Sequence, residues 1–285
     1  MENTDRRTFL KGLLAGGTAA FASESGLAKA ADETPVLHVW SCGGLAEAMK
    51  PAHDAYMAQN RVRIAYTGAF AGALGKSLLA GKGETDVFAG RVLQLAKNLR
   101  AAGKMDYFKP LCFTSYVIVT PKGNPAGIQS LADMGRKGVR VAMAPLASPP
   151  GSQSVAGILK KSGLTEAIMN NVLDTKASCI QRTITDVTSG RADAMIVERR
   201  LTTDPRYKDF LEIIAIPEEF FPPSPLTFTV GVMRSIPDKA LGDAYVEWIT
   251  SADGQAFFER VGFIPALSEK GQELIQKLGV YDANV

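Results

Sequence analysis

Short apolar runs of strand length alternate with helical periodicity along most of this chain, and that alternation constrains its fold more than any other feature. The run VLHVW at 36–40 breaks at Ser41-Cys42-Gly43-Gly44, and a helical pattern follows at once, with Leu45, Met49, Ala52 and Tyr56 on one stripe. Pro51 inside that pattern predicts a kink or a late helix start. Residues 61–68 and 85–90 read as the second and third strands, with a short helix over 72–83 between them. Val92, Leu95, Leu99 and Ala102 form the next helical stripe. The pattern then restarts. A long strand at 112–125 runs into a Pro/Gly turn, and strands at 138–145, 191–198 and 225–233 alternate with helices at 150–163, 178–190, 237–250, 252–260 and 268–278. The stretch 216–225 reads as a loop whose Phe220 and Phe221 pack on a hinge. This βα rhythm predicts an α/β fold with mainly parallel sheets flanked by helices. Spread over about 250 residues, it suits two lobes better than one large sheet.

Composition excludes several classes of function. The 285 residues carry a formal charge of only +3, too little to argue for nucleic acid or a membrane surface. No stretch approaches the eighteen or so apolar residues of a membrane span. Two histidines stand alone, with no HxxxH or HExxH spacing. Three cysteines leave at least one thiol outside any intrachain disulfide.

The first thirty residues read as an address. Arg6 and Arg7 precede a weakly apolar Gly/Ala-rich segment that ends in Ala28-Lys29-Ala30, a peptidase-type site. The segment resembles a twin-arginine export signal, although Asp5 stands where a Ser or Thr is usual. Residues 1–30 are then the signal, and the mature chain is expected in the periplasm.

Several motifs in order resemble one family. TDVFAG, VIVTPKGNPAGIQSLADM, GVRVAMAPLASPPGSQSVAGIL, TSGRADAMIVE and AYVEWITSADGQAFFERVGFIP are similar to segments of molybdate-type periplasmic substrate-binding proteins. The resemblance runs from about residue 36 to 265. It implies a two-lobed type II binding-protein fold with a ligand cleft between the lobes. Residues 34–119 plus 216–285 would form one lobe and 120–215 the other, with crossing strands near 117–120 and 213–217. It also implies a small inorganic ligand of the molybdate or tungstate kind, delivered to a membrane permease and its ATPase by a monomer that uses no cofactor and catalyses nothing.

In such folds, ligands sit beyond strand ends where helix N-termini offer free N–H groups. The junctions expected there are Ser41, Cys42, Gly43 and Gly44; Thr67, Gly68, Ala71 and Gly72; Gly151 and Ser152; and Cys179 and Ile180, with Glu198 at a further strand end. Carried over by position, the family's donor serines fall on Gly44 (or Ser41) and on Ala71 or Gly72. One N–H position falls on Pro150, which has none, and a tyrosine hydroxyl falls on Glu198. A carboxylate facing a dianion repels it. Glu198 therefore turns toward Arg199 or Arg200, or coordinates an oxyanion's metal centre, or the ligand is not an oxyanion. Cys42 and Cys179 each open a helix, a position that favours thiolate. With Glu198 they form an alternative metal set for a thiophilic ion or metalloid, to which Met143 and Met195 could add thioethers; otherwise the two cysteines pair as a disulfide or are simply half-buried. Cys112 reads as core. A Cys-dependent enzyme is the remaining reading, but no base is spaced to activate Cys42.

Overall fold

The structure is a computed structural model that describes residues 34–147, 151–222 and 226–282. The expected export signal lies outside these residues. Among the described residues there are ten strands: β1 (Val36–Cys42), β2 (Arg63–Ala69), β3 (Val87–Arg91), β4 (Met105–Phe113), β5 (Tyr116–Pro121), β6 (Val141–Ala142), β7 (Ala194–Glu198), β8 (Leu211–Ala215), β9 (Thr227–Met233) and β10 (Ile264–Pro265). The helices are α1 (Ala46–Gln59), α2 (Ala71–Leu79), α3 (Leu93–Ala101), α4 (Leu131–Met134), α5 (Gly151–Ser162), α6 (Thr165–Met169), α7 (Ile180–Thr188), α8 (Lys239–Ile249), α9 (Ala252–Arg260) and α10 (Glu269–Leu278).

The strands form two sheets, one ordered β10-β4-β9-β3-β1-β2 and the other β6-β7-β5-β8. Each is the floor of an α/β lobe, as the two-lobed reading predicts. The sheets are mixed, however, not mainly parallel. Among the described strands, β1–β2, β1–β3 and β6–β7 pair in parallel, and β4–β10, β3–β9, β4–β9, β5–β7 and β5–β8 pair antiparallel. The cause is connectivity. The β1-α1-β2-α2-β3 segment pairs in parallel, with β1 between β2 and β3, but β9 arrives from the other lobe and inserts antiparallel between β3 and β4. Periodicity reports a strand's existence but not its direction. Gly231 in β9 permits this tight insertion, since a Cβ there would lie 2.3 Å from the carbonyl oxygen of Tyr107 in β4.

The single strand expected at 112–125 is two strands in two sheets. The chain crosses between lobes at Thr114 and Ser115, where Thr114 N–H donates to Leu226 O and Ser115 O accepts from Arg199 N–H. The crossing backbone is therefore satisfied by neighbouring segments. On the return path, Ile216, Phe221 and Leu226 pack with Tyr116, Ile118 and Ile196 in the core beneath the second sheet. β6 is only two residues long because its pairing with β7 stops at Ala142, just before the chain turns at Pro145.

Helix α1 starts before Pro51 and runs through it, held by a buried stripe of Ala48, Met49, Ala52, His53 and Tyr56. His53 is enclosed against the first sheet, with Nε2 2.7 Å from the Tyr245 hydroxyl of α8 and its ring 4.9 Å from that of Tyr66. Burial lowers its pKa from 6.5 to about 4. Between those values the unfolded chain binds a proton that the folded chain refuses, so stability falls as the pH drops through this window. For that shift the loss is about 2 kcal/mol between pH 7.5 and pH 5, above the range where carboxylates titrate. Urea unfolding at the two pH values should show this loss. His53→Gln, which keeps a hydrogen-bonding group beside the Tyr245 hydroxyl, should largely abolish it.

Candidate functional site

A cavity of about 500 Å³ lies between the two sheets. From the first lobe it is lined by Cys42 at the end of β1 with Gly43 and Gly44 after it, by Ala69 at the end of β2 with Phe70 after it, and by Arg91 at the end of β3. From the second it is lined by Tyr116 of β5, by Gly151 and Ser152 opening α5, by Ile180 opening α7, and by Glu198 and Arg200 at and beyond the end of β7. The rest of its wall is mostly apolar, including Met143, Val155, Leu159, Met169 and Met195.

At one end of the cavity sits a buried ionic cluster. Arg91 Nη1 lies 2.5 Å from Glu198 Oε1, and Arg200 Nε donates to Glu198 Oε2 at 2.8 Å. Arg91 Nη2 donates to the Tyr116 hydroxyl at 3.0 Å, and that hydroxyl donates to Glu198 Oε1 at 3.2 Å. Tyr116 also hydrogen-bonds the Ser154 side chain of α5. Arg200 Nη1 reaches the carboxylate of Glu47 in α1 at 3.3 Å. Arg91 and Glu47 belong to the first lobe, Glu198 and Arg200 to the second, so the cluster ties the lobes together across the cleft. Side-chain exposures are 6% for Arg91, 8% for Glu198 and 15% for Arg200, against 43% for Glu47.

Electrostatics keeps the three buried groups charged. Burial pushes the Glu198 carboxyl up, but Arg91 and then Arg200 outweigh it and hold the group below its ordinary value. Burial likewise works against the Arg91 charge, and Glu198 more than offsets it. Burial and the nearby Glu198 raise the Tyr116 phenol, which stays neutral and acts as a hydrogen-bonding bridge. The backbone also registers a constraint here. Val92, directly after Arg91, has φ +75 and ψ +109, a conformation that a β-branched residue enters only at a cost of about 1–3 kcal/mol. Its N–H donates to Thr227 O, which fixes the end of β3 and so the origin of the Arg91 side chain.

Of the residues singled out from sequence, Cys42, Gly43, Gly44, Gly151, Ser152, Ile180 and Glu198 line the cleft. Ser41 does not. The strand pleat turns it away from Cys42, and its hydroxyl, buried, bonds to the Tyr66 hydroxyl and to Cys42 O. Thr67 and Gly68 are exposed on the edge strand β2, Ala71 is buried in the first-lobe core, and Gly72 lies outside the cleft lining. Ala69, the last residue of β2, and Phe70 lie between those two pairs and reach the cavity.

The three proposed metal ligands do not form a set. Cys179 is exposed and belongs to a separate polar depression with Ser178, Arg182 and Arg191. Its sulfur is 3.7 Å from Gln181 Oε1. Both oxygens of Glu198 face guanidinium groups, which would repel a cation. Cys42 is followed by a three-residue 3-10 turn (Gly43–Leu45) rather than directly by a long helix, and burial raises its thiol pKa, only partly opposed by the Gly44 N–H and Arg91. It is a thiol, not a thiolate. The three cysteines are free, and no metal-holding group of three or more His, Cys, Asp or Glu occurs among the described residues. Cys112 is fully buried, as expected.

Sequence reasoning missed Arg91 and Tyr116, whereas of the partners it offered for Glu198 the structure takes Arg200. The signals were present. Arg91 closes the otherwise apolar run VFAGR, every residue of which is buried. Glu198-Arg199-Arg200 follows the equally buried AMIV. A charge at the end of a fully buried strand has to find a partner or a cleft.

Among curated proteins none matches the chain. Solved structures do. A substrate-binding domain assigned to a molybdenum ABC transporter of Clostridium difficile superposes with TM-score 0.69 at 19% identity, covering 81% of this chain and 98% of that one. The periplasmic molybdate-binding protein of Azotobacter vinelandii superposes with TM-score 0.62 at 14% identity, covering 80% and 98%. Campylobacter jejuni PEB3 bound to L-phospholactate gives 0.60 at 19%, covering 80% and 99%. At these identities the likeness is one of fold. The family model for bacterial extracellular solute-binding proteins matches residues 37–264. With the two-sheet architecture and the cleft between, that match makes this chain a member of the bacterial extracellular solute-binding protein family.

Proposed function

We propose that this protein is the extracytoplasmic receptor of an ABC-type importer and that it captures a small anion in the cleft between its lobes. One observation carries the reading: the cleft wall presents donors, with Arg91 and Arg200 converging on Glu198, Arg200 also on Glu47, and Arg200 Nη2 without a partner among the described residues. The N-termini of α5 and α7 add N–H groups at the cleft wall, an arrangement that suits an anion. The family supports binding rather than turnover. Residues 1–30 serve as a twin-arginine signal that places the mature chain in the periplasm, and a membrane permease with its ATPase receives the solute from a monomer. The lobe division runs close to the crossing at Thr114 and Ser115, and ligand entry and closure follow from hinge motion there and along the return path.

The family's molybdate and tungstate chemistry supports the anion class, but the donors differ. Guanidinium groups and a tyrosine replace a ring of serine hydroxyls. The thiophilic-metal alternative has no observation in its favour, because Cys179 stands outside the cleft and Cys42 is protonated.

Two measurements check this. Melting of the mature chain with sodium molybdate, sulfate, acetate and hexanoate, against sorbitol and choline as neutral and cationic controls, should show stabilisation by at least one anion and by neither control. At a hundredfold excess over the dissociation constant the gain is about 2.7 kcal/mol, or roughly 5–10 °C for a chain of this size. Arg91→Gln should lose most of that gain. A Cys42→Ser, Cys179→Ser double variant should retain it, and its loss there would restore the thiol reading.

A further inference from the structure

Building on the anion-receptor reading, we infer that Glu47 is a resident competitor for the ligand. Its carboxylate holds the Arg200 guanidinium in the anion's stead, and the anion binds by displacing it. Glu47 thereby sets how tightly the cleft binds without lining the cleft itself. Three features of the ionic cluster lead to this.

The first is the unequal strength of the ion pairs. Arg91 meets Glu198 at 2.5 Å and Arg200 Nε meets it at 2.8 Å, all between buried side chains. Those contacts have the length of charge-assisted hydrogen bonds shielded from water. Arg200 Nη1, by contrast, stands 3.4 and 3.3 Å from the two oxygens of Glu47, whose side chain is 43% exposed. Neither oxygen makes a short bond, and a solvent-facing pair of this kind contributes little. Of the ion pairs that hold Arg200 among the described residues, this is the one an anion can exchange.

The second is charge. Arg91 and Arg200 are matched by Glu198 and Glu47, so the four groups sum to zero. Burial works against the Arg200 charge, and Glu198 and then Glu47 offset it. An anion added to the complete set would bring negative charge beside two carboxylates in a partly dry site. An anion that takes over from Glu47 avoids one unit of that repulsion, because water stabilises the released carboxylate.

The third is geometry. Arg200 lines the cleft and Glu47 does not, so the carboxylate reaches the guanidinium from outside the ligand's space and returns to solvent on the same side. Glu47 stands in the first turn of α1, where the helix N-terminus favours its charge with or without Arg200 in reach. Arg200 keeps its place through the exchange. Its Nε stays on Glu198, and its guanidinium lies over Gly44, where a Cβ would stand 3.8 Å from Nε and 3.9 Å from Cζ. Departure of Glu47 frees Nη1 beside Nη2, which has no partner among the described residues. The two nitrogens then form the paired-donor edge that carboxylates and tetrahedral oxyanions accept.

Calorimetric titration of the mature protein, Glu47→Gln and Glu47→Asp with sulfate, molybdate, acetate and hexanoate tests the inference. Glu47→Gln keeps the side chain's shape and removes its charge. Each anion that binds should do so about two- to fivefold more tightly in this variant, the range set by losing a solvent-facing ion pair. Glu47→Asp keeps the charge but draws it back by one methylene, so it should tighten binding too, by a smaller factor. Tightening in Glu47→Gln with native affinity in Glu47→Asp would mean that the charge acts at a distance and not by holding Arg200, which would overturn the inference. Weaker binding in Glu47→Gln would make the contact an aid to lobe closure, and unchanged binding would make it a bystander. Either result overturns the inference and leaves the anion-receptor reading standing. If none of the four anions binds the native protein or the variants, both fall.

Discussion

The contact between Arg91 and Glu198 is where the two halves of this molecule meet chemically. Each residue ends a strand whose every position is buried, and each strand belongs to a different sheet. Neither could stay charged at its depth without the other, and removing one partner of such a pair typically costs about 3–5 kcal/mol. Arg200 extends the set, with Nε on Glu198 and Nη1 on Glu47, and so draws the half-exposed carboxylate of α1 into it. The strained backbone of Val92 and the tyrosine bridge at Tyr116 both fix the Arg91 side chain at the cleft.

The surrounding fold supplies the enclosure. Cross-lobe ion pairs made by Arg91 and Arg200 define one end of the cleft, and the crossing at Thr114 and Ser115 lets the chain serve both walls. Fold likeness at under 20% identity reaches structures whose names speak of molybdate, phospholactate, sulfate and ferric iron, so the scaffold alone does not select among solutes. The lining side chains do.

Much of this was readable from sequence. The strand-and-helix rhythm gave the α/β class, and the motif order gave the two-lobed family. The loop Cys42-Gly43-Gly44, the start of α5 at Gly151 and Ser152, and Glu198 all fell in the cleft, because strand ends and helix starts in such a fold have few other places to go. Three things escaped. Strand direction escaped because β9 joins the first sheet from the far lobe, which no local pattern records. Side-chain facing escaped wherever the expectation was one residue off in a pleat, as at Ser41. The ionic cluster escaped because it is a long-range fact: Arg91 and Glu198 are 107 positions apart in sequence, and only packing brings them within reach. The thiols misled for the complementary reason. Placement at a helix start suggests a reactive cysteine, but burial at Cys42 and exposure outside the cleft at Cys179 outweigh that local rule.

The claim on which the account rests is that the guanidinium groups gathered on Glu198 at the cleft are the groups an anion meets. The most direct measurement is the affinity for sulfate and for molybdate in the native protein and in Glu198→Gln, a near-isosteric change that removes the carboxylate both guanidinium groups share. The account predicts that affinity for at least one of the two anions rises at least tenfold in the variant, as Arg91 and Arg200 are released toward the ligand. Unchanged affinity for both in a variant that still folds would mean that these groups do not face the ligand, and the account would be wrong.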